Sequence, residues 1–326
     1  MRRRDFIALL GGAATWPLAV RAQQRAMPVV GFLGTASPDL TRGRLRAFHE
    51  GLSGLGYVQG RNVVIEYRWA ENQLGRIPEL IADLARRRVS AIVTIAGTSG
   101  ALAAKQATTT IPVVFVVGTD PVQAGLVGSL NRPDANLTGV TSLALQLAPK
   151  RLELLHEMLP AATAVAFVVN PASSSAKGAS ADAHSAAQTH GLALHVLEAG
   201  SERDFATVFA KVRELKAGGL VIDPDQLFVN HSEQLAQLAL HYAVPTIFMY
   251  RDFVAAGGLM SFGGSLNELY GLAGAYTGRI LKGEKPANLP VQQATRIETL
   301  LNLKTAKALG LDVPPTLIAT ADEVIE

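Results

Sequence analysis

The chain has 326 residues, of which 48% are hydrophobic and 17% are charged. This composition is too apolar and too weakly charged for a disordered protein, and the length predicts two domains. The absence of cysteine excludes disulfide frameworks, iron–sulfur clusters, cysteine-ligated zinc and cysteine nucleophiles. The formal net charge of +3 comes from residues 1–22, so the rest of the chain is neutral, which argues against nucleic acid as a partner.

Residues 1–22 have the pattern of an export signal. Three arginines at positions 2–4 precede an apolar run over 6–20, and small residues follow it. The paired arginines before Asp-Phe-Ile also fit the twin-arginine pattern. The alternative is an uncleaved amphipathic arm. We expect a signal peptide over 1–22, a mature protein that begins at Gln23, a periplasmic location and no direct membrane insertion.

The mature chain begins with short apolar runs that alternate with amphipathic stretches. Runs of this kind are typical of buried strands and of helices that cover them. The predicted elements are strand 29–34, helix 41–55, strand 62–69, helix 74–88, strand 91–95, helix 99–107 and strand 112–117. Connections of about 3–8 residues between them indicate a parallel sheet covered on both faces.

A second run of the same kind follows Val140. Its predicted elements are helix 147–158, strand 164–169, helix 174–190, strand 192–197, helix 201–216, strand 219–222, helix 231–241 and strand 245–249. A late strand over 259–262, a helix over 266–281 and a helix over 302–309 follow, which suggests that the chain returns to the first lobe.

These patterns predict an α/β protein with two lobes. We expect crossings between the lobes near residues 140–146, 255–260 and 284–290, which permit closure about a hinge. The predicted lobes are 27–142 plus 258–285, and 143–257 plus 286–326.

Polar side chains follow most of the predicted strands. In open parallel sheets, ligands bind beyond the carboxyl ends of the strands. Small hydroxyls and backbone N–H groups at helix starts favour a carboxylate, and facing acidic residues favour an ammonium group, so together they suit a zwitterion or a small polar metabolite. The candidate ligand-binding residues are Ser37, Asp39, Thr98, Ser99, Thr119, Asp120, Asn170, Ser173, Asp223, Asp225 and Tyr250.

Each candidate also has a simpler structural interpretation. Residues such as Ser99 and Asp120 are common helix N-caps, and an Asp-Pro-Asp segment such as 223–225 is common in turns. Trp69, at the end of a predicted strand, is either a boundary aromatic or a residue at the rim of the cleft.

The sequence contains none of the enzyme motifs we considered. No two of the seven histidines have the i, i+4 spacing of a helical zinc site. There is no G-x-S-x-G motif and no Walker motif, and no G-x-G-x-x-G motif follows the first predicted strand. We therefore expect no catalytic residue, no metal and no cofactor. The alternative from a different class is an exported enzyme of flavodoxin-like architecture.

Longer motifs run through the mature chain. The strongest covers 279–286 and 289–291, and the others are 51–57 with 60–63, 111–115, 120–122, 131–133, 136–140, 150–155, 302–311 and 321–326. They resemble the periplasmic substrate-binding proteins of ABC importers, in the family that includes tryptophan-type amino-acid receptors. The resemblance extends over essentially the whole mature chain.

The resemblance implies a type I periplasmic-binding fold, with two Rossmann-like lobes, three crossings and a ligand in the cleft. It implies ligand contacts from the loops after the first, third and fourth strands and from the regions of Asn170 and Asp223. It further implies no catalysis, and a membrane permease with an ATPase as partners. We expect a monomeric receptor for an amino acid, with another small carboxylate or an amide as the alternative ligand.

Overall fold

The computed structural model describes residues 27–133, 135–142, 144–173, 175–294 and 296–326. The predicted signal peptide lies outside these ranges. None of the helices within them is long and apolar enough to cross a membrane.

Thirteen strands are present in the described residues. In chain order they are β1 (Val29–Gly34), β2 (Val64–Trp69), β3 (Ala91–Thr94), β4 (Val113–Val117), β5 (Leu137–Thr141), β6 (Ala164–Val169), β7 (Ala193–Glu198), β8 (Leu220–Ile222), β9 (Thr246–Phe248), β10 (Met260–Gly264), β11 (Gln292–Gln293), β12 (Ile297–Asn302) and β13 (Glu323–Ile325).

The α-helices alternate with these strands. They are α1 (Arg42–Gly54), α2 (Ile77–Arg86), α3 (Gly97–Ala107), α4 (Ala148–Met158), α5 (Ala176–Thr189), α6 (Phe205–Glu214), α7 (Gln226–Asn230), α8 (Ser232–His241), α9 (Arg251–Ala255), α10 (Leu266–Leu281), α11 (Leu303–Ala308) and α12 (Pro315–Thr320).

The strands form two sheets, which define the two lobes. The first sheet has six parallel strands in the order β11-β5-β4-β3-β1-β2. The second has seven strands in the order β13-β12-β10-β9-β8-β6-β7, and β12 runs antiparallel to β10. Central strands such as β3, β4 and β8 are apolar and buried along their whole length because helices cover both faces of each sheet.

The two faces of the first sheet are covered by different helices. One face packs against α1 and α10 through Phe48, Leu52 and Tyr270. The other face packs against α2 and α3 through residues such as Leu84 and Ala101. The carboxyl edge of the sheet therefore separates the beginning of α3 from the α1 and α10 helices.

Glycines allow α1 and α10 to pack closely together. A Cβ atom at Gly274 would collide with the carbonyl oxygen of Phe48, and one at Gly51 would collide with that of Gly271. Only glycine permits such an approach of two backbones. The first lobe is thus completed by a helix that follows ten of the thirteen strands in the chain.

The predicted α/β fold with two lobes is confirmed, but one strand belongs to a different sheet than expected. The segment over 259–262 was expected in the first lobe, yet β10 pairs in parallel with β9 in the second sheet. The short connection through α9 leaves β10 beside the strand that precedes it, as short connections in parallel sheets do. Strands β5, β11, β12 and β13 were missed.

The described chain passes between the two sheets three times. The first passage lies between Thr141 and Ala148, near the expected position. The second lies between Gly264 and Leu266, and the third between Gln293 and Ile297. Both are later than expected, because β10 stays with the second sheet and β11 pairs with β5 of the first sheet.

Candidate functional site

A cavity of about 460 Å³ lies between the carboxyl edges of the two sheets. This is within the usual size range of small-molecule sites. The first lobe contributes Arg44, Leu74, Ile95, Ala96, Gly97, Thr98, Ser99, Leu102, Val116, Val117, Gly118, Thr119, Leu266, Leu269 and Tyr270. The second lobe contributes Asn170, Ala172, Ser173, Ser175, Pro224, Asp225, Gln226, Val229 and Tyr250.

The first-lobe wall is polar where α3 begins. Gly97 has a φ of 62°, which glycine adopts without strain, and the preceding residue Ala96 provides no side-chain cap. The first turn of α3 therefore has no side-chain cap for its N–H groups, and its residues Gly97, Thr98 and Ser99 line the cavity. Beside them, the hydroxyls of Thr98 and Thr119 share a hydrogen bond of 2.8 Å. This arrangement suits an anionic group.

The second-lobe wall carries a carboxylate that is held in place. Asp225 Oδ1 accepts hydrogen bonds from Asn170 Nδ2 and from the N–H of Leu227, both at 2.9 Å, so Asp225 is the N-cap of α7. The Asn170 side chain is itself fixed, since its Oδ1 accepts from the N–H of Ala172 at 3.0 Å. Among the described residues, no basic side chain forms an ion pair with Asp225. Its negative charge is available to a cationic group.

The rest of the cavity is largely apolar and contains one cation. Leu266, Leu269 and Tyr270 line it from α10, and Tyr250 lines it from the end of β9. Burial raises the pKa of both tyrosines to about 12, so they are neutral. Arg44, at 8% exposure, forms an ion pair of 3.2 Å with Asp252.

A second pair of charged residues is buried away from the cavity surface. Asp223 is 1% exposed and Arg151 is 0% exposed, and neither lines the cavity. Burial raises the pKa of Asp223 to about 7, against the opposing influence of Arg151. Burial likewise lowers the pKa of Arg151 to about 10.

The structure brings seven of the eleven predicted site residues to the cavity. These are Thr98, Ser99, Thr119, Asn170, Ser173, Asp225 and Tyr250. Asp120 has the structural role instead, because its Oδ1 accepts from the N–H groups of Val122 at 2.8 Å and Gln123 at 3.2 Å. Ser37 and Asp223 also do not line the cavity, and the side chain of Asp39 lies outside the described part of the structure.

Sequence reasoning missed Arg44, Gln226 and the α10 residues of the cavity. A signal for Arg44 was available. It precedes Phe48 by four residues and Leu52 by eight, so it lies on the same helical face as these buried residues. A charged residue on a buried face indicates a specific partner.

Two sheets joined by three passages, with a cavity between their carboxyl edges, define a two-lobed binding protein of the type I periplasmic-binding class. A family model described as ABC transporter substrate binding protein matches residues 30–325. The chain belongs to this family, which confirms the resemblance and the receptor function expected from the sequence.

The similar proteins include one that is named as a binding protein and one that was solved with a bound amino acid. The Tyrosine-binding protein of Clostridioides difficile is 28% identical over 276 residues, which is 84% of this chain and 78% of the relative. A conserved domain protein from Vibrio cholerae superposes with a TM-score of 0.83 at 25% identity, covering 92% of this chain and 100% of that one. An ABC domain from Streptococcus pneumoniae in complex with L-Trp superposes with a TM-score of 0.82 at 23% identity, with the same coverage.

Proposed function

We propose that the protein is the periplasmic receptor of an ABC importer for an amino acid with an aromatic side chain. The observation that carries this proposal is the opposite chemistry of the two cavity walls. One wall presents backbone N–H groups and hydroxyls at the beginning of α3, and the other presents the Asp225 carboxylate.

A zwitterion matches both walls at once. Its carboxylate accepts hydrogen bonds from the first turn of α3 and from Thr98 or Thr119, where the helix dipole favours negative charge. Its ammonium group lies against Asp225, which Asn170 orients. A ligand with only one of these groups leaves one wall without its partner, and an unpaired buried polar group lowers affinity.

The apolar part of the cavity supports an aromatic side chain. Two leucines of α10 and the rings of Tyr250 and Tyr270 provide an apolar surface next to the polar walls. Two similar proteins, the Tyrosine-binding protein of Clostridioides difficile and the Streptococcus pneumoniae domain in complex with L-Trp, support the same ligand class.

Ligand capture proceeds by a shift toward the closed state, because a ligand that contacts both lobes binds this state more tightly. In this proposal the first lobe comprises residues 27–142 and 265–295, and the second comprises 143–264 and 296–326. The protein acts as a monomer, is exported by its signal peptide, and delivers the ligand to a permease with an ATPase.

Isothermal titration calorimetry on the mature protein from Gln23 tests the proposal. L-Tyrosine, L-phenylalanine and L-tryptophan are compared with tyramine, which lacks the carboxylate, and with 3-(4-hydroxyphenyl)propanoate, which lacks the ammonium group. We expect binding of at least one amino acid and loss of about tenfold or more in affinity for each truncated analogue. Equal affinity for the propanoate would favour a simple carboxylate receptor, and consumption of the ligand would favour an enzyme.

A further inference from the structure

Arg44 and the beginning of α3 belong to helices on opposite faces of the first sheet, and both line the cavity. The α1 and α10 helices cover one face of the first sheet, and α3 covers the opposite face. The cavity is lined by residues of both, since Arg44 comes from α1, Tyr270 from α10 and Thr98 from α3. A zwitterion whose carboxylate and ammonium groups bind at α3 and Asp225 therefore directs its side chain toward Arg44.

The charge of Arg44 is balanced by the second lobe. Its Nη2 lies 3.2 Å from Asp252 Oδ2, and its guanidinium group also interacts electrostatically with Tyr270. Burial opposes the charged form of Arg44, but the Asp252 carboxylate keeps its pKa above the ordinary value. The cavity wall here contains an arginine whose positive charge is already neutralised.

A guanidinium group has five N–H donors, more than these two contacts use. The pair therefore offers hydrogen-bond donors to a ligand without offering it a net charge. An acceptor without charge, such as a phenol oxygen, gains a hydrogen bond at this place. A carboxylate has to compete with Asp252, and an ammonium group is repelled.

We propose that the Arg44–Asp252 pair is the specificity-determining element of this receptor, selecting neutral aromatic side chains that end in a hydrogen-bond acceptor and rejecting those that end in a charge. This inference rests on the proposed function, because it takes the amino-acid orientation from it. Arg44 and Asp252 belong to different lobes, so the selectivity depends on the closed state in which the two lobes bring them together.

The test compares three ligands that differ only at the para position of the ring: L-tyrosine, L-phenylalanine and 4-carboxy-L-phenylalanine. Dissociation constants are measured by calorimetry for the wild type, for Asp252→Asn and for Arg44→Met. Glu284→Gln is the matched control, because the Glu284 carboxylate pairs with Arg279 and has 43% exposure, against 44% for Asp252. Melting curves of the unliganded proteins verify folding.

The wild type is expected to bind L-tyrosine about tenfold more tightly than L-phenylalanine, and 4-carboxy-L-phenylalanine most weakly. Asp252→Asn leaves the charge of Arg44 unbalanced, so the affinity ratio of the carboxy compound to L-tyrosine increases at least tenfold. Arg44→Met removes the preference for L-tyrosine over L-phenylalanine. Glu284→Gln leaves all ratios unchanged.

An unchanged ratio in Asp252→Asn, in a protein that still binds L-tyrosine, would overturn the role of the pair and leave the proposed function intact. If the wild type binds none of the amino acids, the proposed function is wrong and this inference with it. Asp252 is partly exposed, so its variant is expected to fold even if Arg44→Met does not.

Discussion

The two walls of the cavity differ in the origin of their charge. The first-lobe wall attracts an anion through backbone N–H groups at the start of α3, together with the Thr98 and Thr119 hydroxyls. The second-lobe wall attracts a cation through one side chain, Asp225. Charge that comes from the backbone is shared among several N–H groups, and replacing one side chain by another, proline excepted, leaves all of them in place. Charge that comes from one carboxylate is lost with it.

The largest effect on affinity is therefore expected at Asp225. Replacing it by Asn removes the negative charge but keeps a good helix N-cap for α7, so the unliganded protein should melt unchanged. We expect affinity for L-tyrosine to fall about ten- to hundredfold by calorimetry. The exposed Asp182→Asn on α5 is the control. An unchanged dissociation constant would show that Asp225 acts only as a cap.

A smaller effect is expected from Thr119→Val in the opposite wall. Valine keeps the shape of threonine but removes one hydroxyl, while the N–H groups of α3 remain. The affinity for L-tyrosine should fall about fivefold, which corresponds to one ordinary hydrogen bond. The exposed Thr189→Val serves as the matched control. A loss as large as that of Asp225→Asn would mean that the side chains, and not the helix, bind the carboxylate.

Removing a contact that joins the two lobes outside the cavity should lower ligand affinity even less. Asn230 of the second lobe donates through Nδ2 to Asn72 Oδ1 at 2.6 Å and to Thr35 Oγ1 at 3.2 Å, both in the first lobe. Asn230→Ala should lower affinity about two- to threefold, because it shifts the population away from the closed state. Its Oδ1 also accepts from Nε2 of Gln226 at 2.8 Å, so we expect the same factor for every ligand that Gln226 does not contact. The control is exposed Asn288→Ala. Factors that differ among all ligands would show that Asn230 also acts on the bound ligand, either directly or through Gln226.

The smallest effect on affinity is expected at Asp223. Its pKa is raised from 3.8 to about 7, so between these values the folded protein keeps a proton that the unfolded chain has lost. The free energy of unfolding then falls as pH rises through this window. In Asp223→Asn this contribution disappears, so the variant should melt higher than the wild type at pH 8 and similarly at pH 4.

Melting curves between pH 4 and pH 8, with calorimetry at pH 7.5, measure both consequences. Asp182→Asn is again the control for a carboxylate at the surface. Weaker ligand binding by Asp223→Asn, with the pH dependence of melting unchanged, would contradict this account. It would instead support the direct ligand contact predicted from the sequence.

Much of the fold follows from local patterns, but sheet membership does not. Continuous apolar runs such as those of β4 and β6 predict buried strands wherever they occur. Strand β10 is equally clear as a strand, yet its sheet depends on the short connection through α9. Strand β12 was missed because its sequence, Ile-Glu-Thr-Leu-Leu-Asn, is neither a continuous apolar run nor a regular alternation of polar and apolar residues.

For the site as well, local sequence patterns predict the position of a residue in the fold but not the direction of its side chain. Strand ends located the polar walls, but neighbours such as Thr119 and Asp120 have different roles, since one lines the cavity and the other stabilises a turn. The ring of Trp69 stacks on that of Tyr67 at 5.9 Å and does not line the cavity, which agrees with the boundary interpretation. Which way a side chain turns depends on packing between distant segments.

The close packing of α10 on α1 has a consequence for the order in which the protein folds. Gly51 lies against Gly271 although 219 other residues separate them in the chain, so closing this contact costs more loop entropy than closing a contact between neighbouring elements. The apolar face of α1, with Phe48 and Leu52, stays uncovered until residues 266–281 have been synthesised. The first lobe therefore stays incomplete until strands β6 to β10 of the second lobe have been synthesised, and during that time its exposed apolar surface favours aggregation.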